Sequence, residues 1–193
     1  RNWWPGPGTT MVRFMDRSID LLEEMAEASG DRFAMYRNGY AYFTAEPERA
    51  AGLERAAREI SALGAGDLRI HRGEMSDPLF PEAPYDKLDP SIGGADLILD
   101  PQTIRCRYPF LNPATIAALL PRRCGWLAAQ QLGMWMLEQA RDAGVELVEG
   151  RLTEVTVESG RVTGVEVAGP TGAVDRIATG TLVNAAGPLA PEV

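Results

Sequence analysis

Lysine is almost missing from this chain of 193 residues: Lys87 is the single one, and arginine supplies the other basic side chains. The balance is acidic, with a net charge of -8 and a pI near 4.8. That argues against a nucleic-acid partner, since phosphate binding needs a basic face, and against an anionic membrane surface. Histidine is as scarce, with His71 alone. The two cysteines, Cys106 and Cys124, have no CxxC or other metal spacing. Too few ligands remain for a zinc site, and Ser-His-Asp or Cys-His chemistry would have to use His71. The cysteine usage reads as two free thiols in a reducing, cytoplasmic compartment. No apolar run approaches the roughly 20 residues of a membrane helix; "IAALL" at 116–120 is among the longest. No signal peptide, internal repeat or low-complexity tract is visible.

What is present is ordinary for a globular chain, with 45% hydrophobic and 24% charged residues. Residues 11–29 read as an amphipathic helix, with Met15, Ile19, Leu22 and Ala26 on one stripe. Thr9 or Thr10 is placed to cap it, and Gly30 to end it. "RFAMYRNGYAYFTA" (32–45) reads as a β-hairpin turning at Asn38-Gly39. Pro47 starts a second helix reaching about Leu63, and "DLRIHR" (67–72) reads as a strand. Residues 73–95 read as an irregular loop; 95–100 and 115–120 as strands; "YPFL" (108–111) as a loop anchor in the core. A helix over 130–143 is followed by a strand at "VELVEG". A hairpin over 154–167 turns at Ser159-Gly160 and is followed by strands over 173–178 and 181–187. His71 reads as a surface or loop residue, and Asp16, Asp20, Glu23 and Glu24 as a solvated helix face.

The last strand ends in "NAAG". Ala185, Ala186 and Gly187 carry no bulky side chain, so their backbone can approach something flat or phosphorylated. The carboxyl end of a parallel strand is where doubly wound folds bind ligands. "ARDAGVELVEG", "RLTEVTV" and "TLVNAAG", with "RYPFLN", "GWLAAQQL" and "SGDRFAMYRNGYAYFTA", resemble the central part of FAD-dependent oxidoreductases of the D-amino-acid oxidase and sarcosine oxidase type. The resemblance covers most of the chain, in the same order of elements. One departure is local: the family usually writes an acidic residue and Asp-Pro around the "GW" helix start. Here Cys124 precedes it and Ala128-Ala129 follow.

The resemblance implies an α/β fold in which Rossmann-like pieces of an FAD-binding domain, 1–30 and 123–193, flank an inserted α+β substrate domain, 31–122. It implies FAD as cofactor and oxidation of a C–N bond in an amine or amino-acid substrate, with hydride passing to the flavin. A hydroxy-acid or glycerol-phosphate dehydrogenase, or a non-catalytic α/β interaction module, stays open as an alternative. The implied cofactor contacts are Arg1 beside the flavin ring, the main chain of Val155 near the adenine, and Ala185, Ala186 and Gly187 near the phosphates and ribose. Trp3 and Trp4 are the implied substrate walls, with packing of the loop as their other reading. No catalytic base is identified and the oligomeric state stays open. The family's G-x-G-x-x-G turn is not found; "GPG" at 6–8 and "GAG" at 64–66 lack a preceding strand and a third glycine. The chain therefore reads as a central fragment, expected to bind FAD poorly alone.

Overall fold

Among the described residues, three of the four α-helices form where the apolar period of the sequence puts them. The computed structural model describes residues 1–4, 6–82 and 91–192. Helix α1 (Thr10–Ser29) buries Val12, Ile19 and Ala26. Gly30 ends it at φ 65°, where the next N–H, of Asp31, reaches back to the Ala26 carbonyl at 2.7 Å. This left-handed stop is one that glycine adopts without a Cβ penalty. Thr9 offers no side-chain cap. Helix α2 (Pro47–Ile60) starts on its proline and buries Ala57 and Ile60.

The chain divides into two compact units, Arg1–Gln139 and Ala140–Val193. The first holds a four-stranded sheet of β1 (Tyr42–Thr44), β2 (Leu68–His71), β3 (Ala95–Ile98) and β4 (Ala117–Pro121). Its order is β1-β4-β3-β2, with β2 and β3 parallel and the other pairs antiparallel. Alternation along the strands gives the sheet two apolar faces. Ala95, Leu97 and Leu119 meet Ala57 and Ile60 of α2 on one face. Ile98, Ala118 and Leu120 meet Ile104 of α3 (Pro101–Arg107), with Phe43, Phe80 and Tyr108, on the other. Gly94 is required where β3 begins: at φ 69° its missing Cβ would collide with the Asp67 carbonyl oxygen.

The second unit is a meander of β5 (Arg151–Glu158), β6 (Arg161–Ala168) and β7 (Val174–Ala178). Ser159 and Gly160 take φ of 50° and 76°, the two positive angles of a tight hairpin turn. Helix α4 (Ala129–Asp142) precedes this sheet in the chain.

Four expectations are corrected. The Asn38-Gly39 hairpin does not form. Only Gly39 of the pair has positive φ, and both flanks bond elsewhere: Tyr36 exchanges N–H···O bonds with Trp126, and Gly39 and Tyr40 donate to Cys124 and Pro121. Residues 101–107, not assigned from the sequence, form α3, capped by the Asp100 carboxylate on the Gln102 and Thr103 N–H groups. "VELVEG" and 181–186 form no strand and pair with none among the described residues, leaving Val145, Leu147, Val148 and Val183 exposed. In "YPFL" only Tyr108 and Leu111 lean on the core; Phe110 is 78% exposed. Part of the irregular stretch expected over 73–95, residues 83–90, lies outside the described residues.

Candidate functional site

The first four residues alternate inward and outward. Asn2 and Trp3 are buried; Arg1 and Trp4 face solvent. Trp3 sits in the core with Val12, Ile60 and Leu97, so it supports the loop from beneath. Trp4 takes the exposed place. The Arg1 guanidinium lies 5.3 Å from the centre of the Trp4 ring and 5.4 Å from that of Tyr40, and it donates to the Tyr42 hydroxyl. Tyr40 and Tyr42 stack with centroids 6.0 Å apart. The result is a cation held among three aromatic rings on an accessible surface, suited to a planar or anionic group. Tyr40 and Tyr42 were missed in the sequence because the hairpin reading gave them only a structural part.

The acidic face of α1 is not simply solvated. Arg123 reaches Asp16 at 2.9 Å and also pairs with Asp20, while buried Arg37 pairs with Glu23 at 3.0 Å. Only Glu24 keeps a fully exposed partner, Arg17. Asn2 joins the group: its Nδ2 donates to Asp16 at 2.9 Å and to the Ala65 carbonyl at 3.1 Å.

A cavity of about 100 Å³ is lined by Arg1, Met35, Tyr36, Cys124 and Trp126, among others. Tyr36 and Trp126 face each other with centroids 4.7 Å apart. Gly125 is needed between them, since a Cβ there would strike the Tyr36 carbonyl oxygen. The Cys124 thiol is buried and donates to the Pro121 carbonyl at 3.0 Å. Burial pushes its pKa up to about 11. At pH 8 only about one thiol in a thousand is then ionised, so alkylation should be confined to exposed Cys106 until the fold opens. Mass spectrometry after iodoacetamide treatment checks this; rapid native labelling at Cys124 would contradict the burial.

A second charged group lies on the α3 side of the sheet. Asp96 is completely buried; it accepts from Arg69 Nε and Nη2 at 2.8 and 2.9 Å, forms an ion pair with Arg122 at 2.8 Å and shares a hydrogen bond with His71 Nε2 at 2.9 Å. The Phe80 ring covers it, lying 3.6 Å from the Arg107 guanidinium and 4.6 Å from that of Arg122. His71 is therefore a buried partner of Asp96, not a surface residue. The signal was in the strand period: Arg69 and His71 are two apart, hence on one face.

In the second unit, β5 is an edge strand, so half of its main-chain groups point away from β6. Val155, paired with Val165, belongs to it. In "NAAG", the Asn184 side chain accepts from the Ala186 N–H at 3.1 Å and donates to the Ala190 carbonyl at 2.9 Å. Ala185, Ala186 and Gly187 are exposed. Gly187 has φ 58° and nothing within 4 Å of where a Cβ would stand. The main chain here is thus exposed, with the Ala186 N–H already held by Asn184. Among the described residues no cluster of His, Cys, Asp and Glu could hold a metal ion, and no helix is long and apolar enough to cross a membrane.

A family model described as "DAO: FAD dependent oxidoreductase" matches residues 1–193. Among solved structures the chain is similar to L-proline dehydrogenase from P. horikoshii, with TM-score 0.69 and 20% identity over 100% of this chain and 42% of that one. It is also similar to glycine oxidase from Bacillus cereus ATCC 14579, with TM-score 0.64 and 12% identity over 92% of this chain and 41% of that one. It spans less than half the length of either. No curated protein sequence matches it.

Proposed function

Because the chain belongs to the FAD-dependent oxidoreductase family, we propose that the whole protein oxidises the C–N bond of a small amine or amino acid. The fold is α/β, with Rossmann-like pieces of an FAD-binding domain and an inserted α+β domain. We take the inserted substrate domain as 31–122 and the FAD-domain pieces as 1–30 and 123–193. The observation that carries the reading is the exposed Arg1 guanidinium among Trp4, Tyr40 and Tyr42.

Taken unit by unit, the residues have the chemistry that separate parts of the cofactor need. Arg1 offers a cation to the ring, where negative charge collects as electrons arrive. Ala185, Ala186 and Gly187 offer a backbone without bulky side chains for the phosphates and ribose, and the main chain at Val155 would contact the adenine end. When bound, FAD supplies a two-electron acceptor that takes the hydride equivalent from the substrate carbon. Trp4 and Tyr40 would wall the approach to that carbon, and Trp3 fixes the loop that carries Trp4. The nitrogen's proton passes to solvent in this reading, because no histidine lies beside Arg1 and His71 is committed to Asp96.

The test uses the full-length protein. It should purify yellow, and its colour should bleach under anaerobic conditions with an amino acid or N-methyl amino acid, but not with a 2-hydroxy acid. Bleaching only by the hydroxy acid would transfer the assignment to C–O oxidation. A colourless protein that takes up no FAD would remove the proposal altogether.

A further inference from the structure

We propose that Asn2 is a positioning residue: it fixes where the Arg1 guanidinium stands, and the Asp16–Arg123 pair acts through it. The inference rests on the reading of Arg1 as a cofactor contact. Asn2 is 2% exposed, although it adjoins an arginine open to solvent. Its main-chain N–H donates to the Arg123 carbonyl at 3.3 Å. Its Nδ2 donates to Asp16 and to the Ala65 carbonyl. Both of those neighbours are acceptors only, so the amide cannot be turned over, and its orientation is decided by them. Oδ1 is left without a partner among the described residues. A buried acceptor without a donor is costly, and a residue used only for packing would be better apolar.

Three separate segments therefore meet on one residue: α1 through Asp16 and the turn after α2 through Ala65, both on its side chain, and residue 123 through its carbonyl on the main-chain N–H. Arg123 completes the circuit by its ion pair with Asp16 at 2.9 Å. With Asn2 held at both main chain and side chain, the Arg1 side chain springs from a fixed neighbour. The rings of Trp4 and Tyr40 and the Tyr42 hydroxyl then select its rotamer.

A purely structural Asn2 would affect melting temperature without moving Arg1. Full-length protein labelled with 5-fluorotryptophan separates the two roles, with the Trp4 resonance assigned by Trp4→Phe. In FAD-free protein well below melting, Asn2→Ala should move the Trp4 fluorine line toward its position in Arg1→Met. In the holoprotein, Asn2→Ala should lower the flavin midpoint potential by at least half as much as Arg1→Met does. Asn2→Ser, which keeps a small donor, should fall between wild type and Asn2→Ala in both readouts, and it serves alone where Asn2→Ala does not fold. If Arg1→Met moves the Trp4 line and neither Asn2 variant does, the positioning role is overturned. If the line moves but no variant changes the potential, Asn2 does position Arg1 and the cofactor reading of Arg1 is what fails.

Discussion

Arg1→Met lowers kcat/KM of the holoenzyme by about a hundredfold or more, the cost typical of removing one preorganised charge-stabilising donor. Methionine nearly matches the reach of the arginine stem and keeps contact with the Trp4 ring, so the change isolates the charge. The fold should not suffer, because Arg1 is exposed and its side chain donates only to the hydroxyl of half-buried Tyr42, whose ring packing the change leaves in place. The loss should fall on kcat more than on KM, since the guanidinium matters most as the ring becomes negative. Arg1→Lys retains charge but not the planar fork and should recover part of the rate. Steady-state kinetics on full-length protein decide the matter; a kcat/KM within twofold of wild type for Arg1→Met would falsify the placement of Arg1 beside the cofactor.

The largest stability effect is expected at Asp96. Asp96→Asn should cost about 3–5 kcal/mol, the range for breaking one side of a buried ion pair. The carboxylate is fully buried, and two guanidiniums and an imidazole converge on it. Neutralising it leaves Arg69 and Arg122 facing each other, with Arg122 only 5% exposed and its pKa already lowered by burial. An amide accepts fewer bonds and adds donors where donors already crowd. The double variant Asp96→Leu/Arg122→Leu should be more stable than Asp96→Leu alone, because it removes the stranded charge together with its partner. Denaturant unfolding monitored on the first unit measures both; a cost under about 1 kcal/mol for Asp96→Asn would mean the cluster is already solvated.

The sequence revealed elements whose signals are local. Pro47 at a helix start, Gly30 at a helix end and Ser159-Gly160 between alternating valines each act within a few residues, and the structure keeps all three. Asn38-Gly39 carries the same kind of signal, but its flanks find better partners in residues 117–126, far along the chain, and pairing at a distance leaves no mark on a short window. The same holds for "VELVEG" and 181–187. Their apolar composition suits a strand, but a strand needs a neighbour, and composition cannot supply one. Helix α3 did leave a local signal, Asp100 followed by Pro101, which the preceding strand pattern obscured. In the site, Arg1 and Trp4 are near neighbours in the chain already, while Tyr40 and Tyr42 enter only through the fold. The part of Asn2 was hidden because one asparagine has no pattern.

The register of the mixed sheet also governs how the protein is made. Glu158 meets Arg161 across a two-residue turn, so the meander can close on a timescale of about microseconds. Tyr42 must instead wait for Leu119. At a synthesis rate of roughly 5–20 residues per second, that wait is about 4–15 s. Throughout it, β1 is an aromatic strand with neither edge paired, with α1 made before it and α2 emerging after it. Nascent chains of this protein should therefore engage a holdase over Tyr40–Thr44 and release it once β4 has emerged.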